Sequence, residues 1–329
     1  MLPEKDLLIL KKQLESPRDI CIAVLGDIML DKYTYGMVER ISPEAPIPVV
    51  TVEREIETLG GSGNIISNLN GLNSKAVPIG VVGDDIYGSK VYELIKSLGI
   101  TDHHIIVSKD QTTTLKTRVI ANNQQLLRID WDSSPPSAHE KEKLRQSITN
   151  SLNNVDVMII SDYAKGVCSL ELVKYTIEAA RDQSIPVFVD PKGNDYLKYR
   201  GSSCITPNTN EAQDVVPFKL DSVESFEKAA NWIRDQFSID VCIITRGEAG
   251  MVLSDGVDMI QIPTIAQEVF DVSGAGDTVI ATMAVCIALG LDYKSAAKVA
   301  NTAGGIVVSY IGTSPIKIKS LIRRLNKQD

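Results

Sequence analysis

Short β-branched runs recur along this 329-residue chain with helical segments between them, and no other feature limits the fold as much. Residues 20–25, 76–82, 155–160, 186–189 and 241–245 are apolar stretches rich in Val and Ile and too short for helices. Such runs predict strands buried on both faces. Between them, residues 86–98, 139–152, 170–183 and 223–236 place apolar residues three and four apart, as a helix with one buried face requires. Strands that alternate with helices pair in parallel, because each crossover needs a dozen or more residues. The expected fold is therefore α/β, a mainly parallel sheet with helices on both faces. Helices over 275–289 and 293–309 would close its C-terminal side, and residues 1–15 read as an amphipathic helix.

Two segments break this rhythm. Residues 33–57 contain Pro43, Pro46 and Pro48 and then the alternating run from Pro48 to Glu53. Residues 113–130 read as a hairpin, with strands over 115–121 and 125–130 flanking an Asn122-Asn123 turn. Strands without helices between them predict a small separate sheet. One face of that sheet would lie uncovered, which suits a lid over a pocket, a dimer interface, or both.

Composition narrows the function. Hydrophobic residues make up 43% and charged residues 23% of the chain, as in an ordinary soluble protein. A net charge of −8 leaves no basic stripe for nucleic acid. The most apolar stretch, residues 279–289, is too short to span a bilayer, and no signal peptide is visible. A cytoplasmic protein is expected, with Cys21, Cys168, Cys204, Cys242 and Cys286 as free thiols. The adjacent His103 and His104 would point to opposite faces of a strand and read as structural.

The motif that carries chemistry is Asp271-Val272-Ser273-Gly274-Ala275-Gly276-Asp277-Thr278, leading straight into an apolar helix. Gly274 and Gly276 permit a tight turn and a close backbone approach to a ligand. The N–H groups of Gly274, Ala275 and Gly276 would point from the helix N-terminus at an anion. Asp277 would stand beside that anion, placed to take a proton from an attacking hydroxyl. A plain capped helix start with an acidic first turn fits the same residues.

This motif resembles the C-terminal signature of ribokinase-like (PfkB) carbohydrate kinases, and Gly60-Gly61-Ser62-Gly63-Asn64 resembles their N-terminal glycine signature. The resemblance implies a three-layer α/β/α sandwich with a small β-sheet lid, using ATP and Mg²⁺. It makes Asp277 the catalytic base, with the backbone of Gly274, Ala275 and Gly276 neutralising the transferring phosphoryl group. It puts Gly60 and Gly61 against the sugar, with Asn64 bonded to its hydroxyls. Thr206-Pro207-Asn208-Thr209-Asn210-Glu211 resembles the element in which Asn208 and Glu211 organise Mg²⁺ and its waters. A polar helix cap at Asn208 is equally compatible. The stretch from Thr245 to Gly250, including Gly247, resembles the nucleotide loop, and Asn301 falls where the adenine would lie.

Within the family the chain is most similar to the heptose-7-phosphate kinases of lipopolysaccharide-core precursor synthesis. GDIMLDKYTYGMVERISPEAPIPVV from Gly26, KTRVIANNQQLLRID from Lys116, SDYAKGV from Ser161 and DPKGNDYLKYRG from Asp190 carry that similarity. Asn122 departs from the pattern where a basic residue is usual, and Gly247 where a Ser is usual. The implied reaction is phosphorylation of D-glycero-D-manno-heptose 7-phosphate at its C1 hydroxyl. Asp27 and Asp31 are candidates for the sugar hydroxyls, and Lys116, Arg118, Arg128, Lys165 and Lys192 for its phosphate. The lid strands are expected to pair two copies into a homodimer. Relatives that also transfer a nucleotidyl group carry an H-x-G-H motif; this sequence has none, so the kinase step alone is expected. A kinase for another sugar or sugar phosphate, or an idle sugar-binding regulator on the same fold, remains open at this point.

Overall fold

The computed structural model describes residues 2–122, 124–264, 269, 271–310 and 312–326. Among them the large sheet begins with β1 (Cys21–Gly26), flanked on one side by β4 (Lys75–Gly83) and β5 (His104–Ser108). On its other side follow β8 (Val157–Ser161), β9 (Val187–Asp190), β10 (Cys204–Ile205) and β11 (Val241–Thr245), all parallel. The strands β12 (Met251–Ser254) and β13 (Met259–Ile262) then add antiparallel at the edge. The five strands expected from the sequence are thus present, within a residue or two at each end. The short β5, β10, β12 and β13 were not foreseen: β10 has two residues, and the edge pair after Gly250 has no helix between its members.

Side chains alternate across this sheet, as pleating requires. Ile22, Val24, Ile159, Phe188 and Ile243 point to one helical layer, which includes Ser62–Gly71, Ala275–Ala288 and Tyr293–Val307. Ala23, Leu25, Met158, Ile160 and Ile244 point to the other, formed by Ala138–Leu152, Leu170–Asp182 and Val223–Phe237. The result is the three-layer α/β/α sandwich. Helix Ser62–Gly71 escaped the periodicity reading because its polar residues, Asn64 and Asn68 among them, are buried too.

A second sheet of four strands stands off the first, in the order β3 (Pro48–Gly61), β2 (Ile28–Ile41), β6 (Leu115–Ala121), β7 (Gln124–Trp131). Its first two strands extend beyond residues 33–57, because Ile28 already pairs with Gly61. Only Asp27 separates β1 from β2, so one residue joins the two sheets. Asn122 sits at φ +52° at the end of β6, a left-handed position that Asn tolerates better than a long basic side chain; Asn123 lies outside the described residues. Cys21 is half-buried, the other four thiols are buried, and all five are unpaired. His104 opens β5, and the His103 ring packs edge-on against Tyr92 at 5.2 Å. Among the described residues no helix is long and apolar enough to cross a membrane.

Candidate active site

Strand order reverses on either side of β1, and the crevice at the C-terminal ends of β1 and β8 is where open α/β sheets accept ligands. A cavity of about 620 Å³ opens there, running from the ends of β8, β9 and β11 to the first turn of helix Ala275–Ala288.

Gly274 starts that helix at φ +76°, and a Cβ on it would collide with the Asn64 amide nitrogen. The Ala275 N–H is not free as the motif suggested: it donates to the Val272 carbonyl at 3.2 Å, closing the turn. The amides of Gly274 and Gly276 have no partner among the described residues and remain for an anion. Asp277 is 4% exposed. Its Oδ2 accepts from Asn64 Nδ2 at 2.7 Å and its Oδ1 from the Tyr163 hydroxyl at 2.8 Å. Burial pushes its pKa up to about 6; the Asn64 and Tyr163 hydrogen bonds work against burial, Asp31 adds to the rise and Lys116 opposes it. A carboxylate so placed is ionised at neutral pH, yet basic enough to accept a proton during reaction.

On one side of Asp277 the cavity wall is built from strand-end loops. Asn208 caps helix Thr209–Val215, its Oδ1 accepting from the Asn210 and Glu211 amides at 2.9 and 3.0 Å. Glu211 Oε2 accepts from the Asn208 amide at 3.0 Å, completing a capping box. The other Glu211 oxygen accepts from Lys192 Nζ at 2.8 Å. Lys192 thus sits with Asn208, Glu211 and Thr245 on the cavity wall, not with the cations of the second sheet. Gly247 and Gly250 take φ +56° and +81°, and a Cβ on Gly250 would strike the Ile262 carbonyl. Buried Asn301 donates to the Pro263 carbonyl at 2.8 Å and forms part of the same wall. Asp190, at the end of β9, also lines it; burial is the first cause of a pKa well above the ordinary value, with Asp277 and Glu211 adding to it.

The donor set around Glu211, Asp190 and Asn208 is all oxygen, which suits a hard cation such as Mg²⁺. No group of three or more His, Cys, Asp or Glu able to hold a metal occurs among the described residues. Mg²⁺ ordinarily takes most of its ligands from phosphate oxygens and water, so one or two carboxylates would suffice to hold it.

On the other side of Asp277 lies one face of the second sheet, where charges are largely committed to each other. Asp31, 4% exposed, accepts from Arg118 Nη1 at 2.7 Å, and Gly60 leaves it room: a Cβ there would sit 2.7 Å from the carboxylate. Lys165 pairs with Asp132 at 2.6 Å, and Arg128 grips Asp130 at 3.0 Å through two nitrogens. Lys116 has no ion-pair partner among the described residues; its Nζ lies 5.4 Å from the Tyr163 ring centroid, and burial lowers its pKa. Asp27 is 3% exposed. Its oxygens accept from the amides of Tyr163, Lys165 and Val167 at 3.0 to 3.1 Å, so it organises the loop after β8. Asn64 faces Asp277, and Gly61, at φ +56°, starts its helix. Tyr163, Asp162 and Asp190 were not singled out from the sequence. SDYAKGV and DPKG marked the stretches, but only the fold brings Tyr163 to a residue 114 positions away.

The family described as pfkB family carbohydrate kinase matches residues 20–319. The bifunctional protein HldE of Wolinella succinogenes is 42% identical over 294 residues, covering 89% of this chain and 62% of that protein. HldE of Helicobacter pylori (strain 26695) is 39% identical over 307 residues, covering 93% of this chain and 67% of that protein. The chain therefore spans 62% of the Wolinella relative and of a Pelobacter propionicus relative with the same name. Among solved structures, Escherichia coli phosphofructokinase-2 in complex with potassium superposes with a TM-score of 0.79 at 20% identity, over 94% of this chain and 100% of that one. Arabidopsis thaliana ribokinase, complexed with ribose and ATP, gives 0.74 at 18% identity, over 94% and 99%. At such identities the likeness shows the fold.

Proposed function

This chain belongs to the pfkB family of carbohydrate kinases and as such is a sugar kinase that uses ATP; we propose that its acceptor is D-glycero-D-manno-heptose 7-phosphate, phosphorylated at C1 to the 1,7-bisphosphate. The observation that carries the reaction is Asp277, buried between the cavity and the second sheet with its pKa raised to about 6. In this reading the C1 oxygen attacks the γ-phosphorus, the bond from that phosphorus to the ADP oxygen breaks, and Asp277 takes the C1 hydroxyl proton. The amides of Gly274 and Gly276 face the phosphoryl oxygens, where fixed donors stabilise developing charge without reorganising. Lys192 holds the triphosphate from the opposite wall, beside Asn208, Glu211 and Thr245. Bound Mg²⁺ would neutralise part of the charge on the phosphate oxygens, with Glu211 and Asn208 orienting its waters. Gly247, Gly250 and Asn301 border the nucleoside.

The second sheet serves as the lid of the same single kinase domain. Asp31 and Asn64 orient the sugar, and Lys116, Arg118 and Lys165 face its 7-phosphate. The heptose assignment rests on the long SPEAP, SDYAKGV and DPKG strings together with the HldE relatives. A cytoplasmic site of action follows from this chemistry, because ATP and sugar phosphates are there. Leu127, Ile129 and Trp131 lie 54, 36 and 49% exposed along β7, an apolar row that suits pairing with a second copy. Sedimentation of the purified chain as a monomer would remove that last element.

The test is ATP turnover across a panel of sugars and sugar phosphates that includes this heptose phosphate. Turnover confined to it, with an acid-labile anomeric phosphate as product, is the expected result. Turnover only on another sugar would discard the heptose and keep Asp277. No turnover on any would overturn the kinase reading.

A further inference from the structure

We propose that Tyr163 is a positioning residue for Asp277, holding the carboxylate in one orientation and ionised, and that Asp27 is the strut that holds Tyr163. This inference rests on Asp277 being the base. Tyr163 donates to Asp277 Oδ1 at 2.8 Å while Asn64 donates to Oδ2 at 2.7 Å, one from the loop after β8 and the other from helix Ser62–Gly71. Two donors from different elements fix the plane of the group and leave a lone pair on each oxygen for a substrate proton. The phenol is a permanent donor, since burial and the charge on Asp277 raise its pKa far above the working range.

The loop that carries Tyr163 is held more tightly than a surface loop needs. Asp27 accepts from three of its amides, and Asp162 Oδ1 accepts from the Ala164 amide at 2.7 Å. Ala164, directly after Tyr163, stands at φ +56°, a left-handed region unfavourable for a non-glycine residue. Backbone in such a conformation persists only where its surroundings over-determine it, and here four carboxylate-to-amide bonds do so. Their combined effect is to aim one hydroxyl at Asp277.

The groups facing Asp277 are Asn64 from helix Ser62–Gly71, Tyr163 from the loop after β8, Asp31 from β2, Lys116 from β6 and Asp190 from β9. Tyr163→Phe removes only the hydroxyl. The ring that Lys116 overlies remains, so that charge stays in place. Losing a donor to the charged form raises the carboxylate pKa. The acid limb of kcat/KM, which falls as Asp277 becomes protonated, must then move to higher pH.

The experiment pairs that pH profile with a ¹³C titration of the Asp277 carboxyl in substrate-free protein, for wild type and Tyr163→Phe. Both midpoints are expected to rise by about one unit, the worth of a hydrogen bond to a charged acceptor. The rate deficit should be largest below neutrality and shrink at pH 9, with KM for ATP unchanged. Replacing Tyr163 by 3-fluorotyrosine, a stronger donor of nearly the same size, should move both midpoints down, and it keeps the test decisive if the Phe variant folds poorly. Midpoints unmoved in both variants would overturn the proposal. A carboxyl titration that shifts in a protein without sugar turnover would instead leave the positioning role and remove the kinase reading.

Discussion

The two walls that meet at Asp277 are built on opposite plans. The cavity wall is formed mostly by loops tied into local turns, Asn208 on its own helix start and Gly250 on a turn only glycine fits, with Asn301 reaching from a helix to the Pro263 carbonyl. Its space is already open, about 620 Å³ of it. On the second sheet's side more charges are paired, Asp31 with Arg118, Arg128 with Asp130 and Lys165 of the loop after β8 with Asp132, against the Lys192–Glu211 pair on the cavity wall. In the proposed reading a nucleotide enters an open cavity and loosens only the Lys192–Glu211 pair, whereas a sugar phosphate meets several pairs. The first wall is preorganised and the second is switchable, with Asp277 as the hinge of the comparison.

The largest effect should come from that shared residue. Asp277→Asn keeps the size and the position of the group, and loses the base. Turnover is expected to fall by roughly 10²–10⁴-fold, the usual worth of a general base. Isothermal titration should find ATP binding within a few-fold of wild type. A variant turning over at the wild-type rate would mean that neither wall is organised around this carboxylate.

What could be read from the sequence follows the same division. The cavity wall came from contiguous strings, the glycine turn with Asp277, the Asn208 to Glu211 cap and the Thr245 to Gly250 loop, because each is a local backbone device. The layers of the fold were legible for a related reason: strand and helix periodicities are local. The second sheet's face was only partly legible. Asp27 and Asp31 are four residues apart and look alike, yet one is spent on three amides and the other meets Arg118 from a strand 87 positions away. Lys192, like Lys165, follows a strand, and the two look alike in sequence. Lys192 reaches Glu211 because β9 and β10 are neighbours in the sheet. The contact of Tyr163 with Asp277 has no local signature at all.

Lys192 and Lys116 sharpen the comparison at intermediate size. Lys192→Met should raise the KM for ATP by roughly 10- to 100-fold, the range for one charge-assisted contact, and leave the sugar-phosphate KM nearly unchanged. Lys116→Met should do the reverse. Lys116 has no ion-pair partner among the described residues, and burial lowers its pKa while Asp31 and Asp130 oppose that shift. A substrate phosphate would add counter-charge. Initial rates with each substrate varied in turn separate the two variants. If both raised the same KM, the division into two walls would be wrong.

Arg128 should give the smallest effect and test where the switchable face ends. It pairs with Asp130 two residues along the same strand, and its side chain is 54% exposed. An exposed pair of this kind contributes under about 1 kcal/mol and is screened by salt. Arg128→Ala should therefore lower Tm by no more than a few degrees. If its carboxylate partner keeps it from the substrate, the sugar-phosphate KM should change by less than about three-fold, a small part of what a full charge-assisted contact contributes. A tenfold rise would mean that Asp130 releases Arg128 when substrate arrives. The outermost pair would then belong to the phosphate clamp, and the switchable region would extend across the whole sheet to β7.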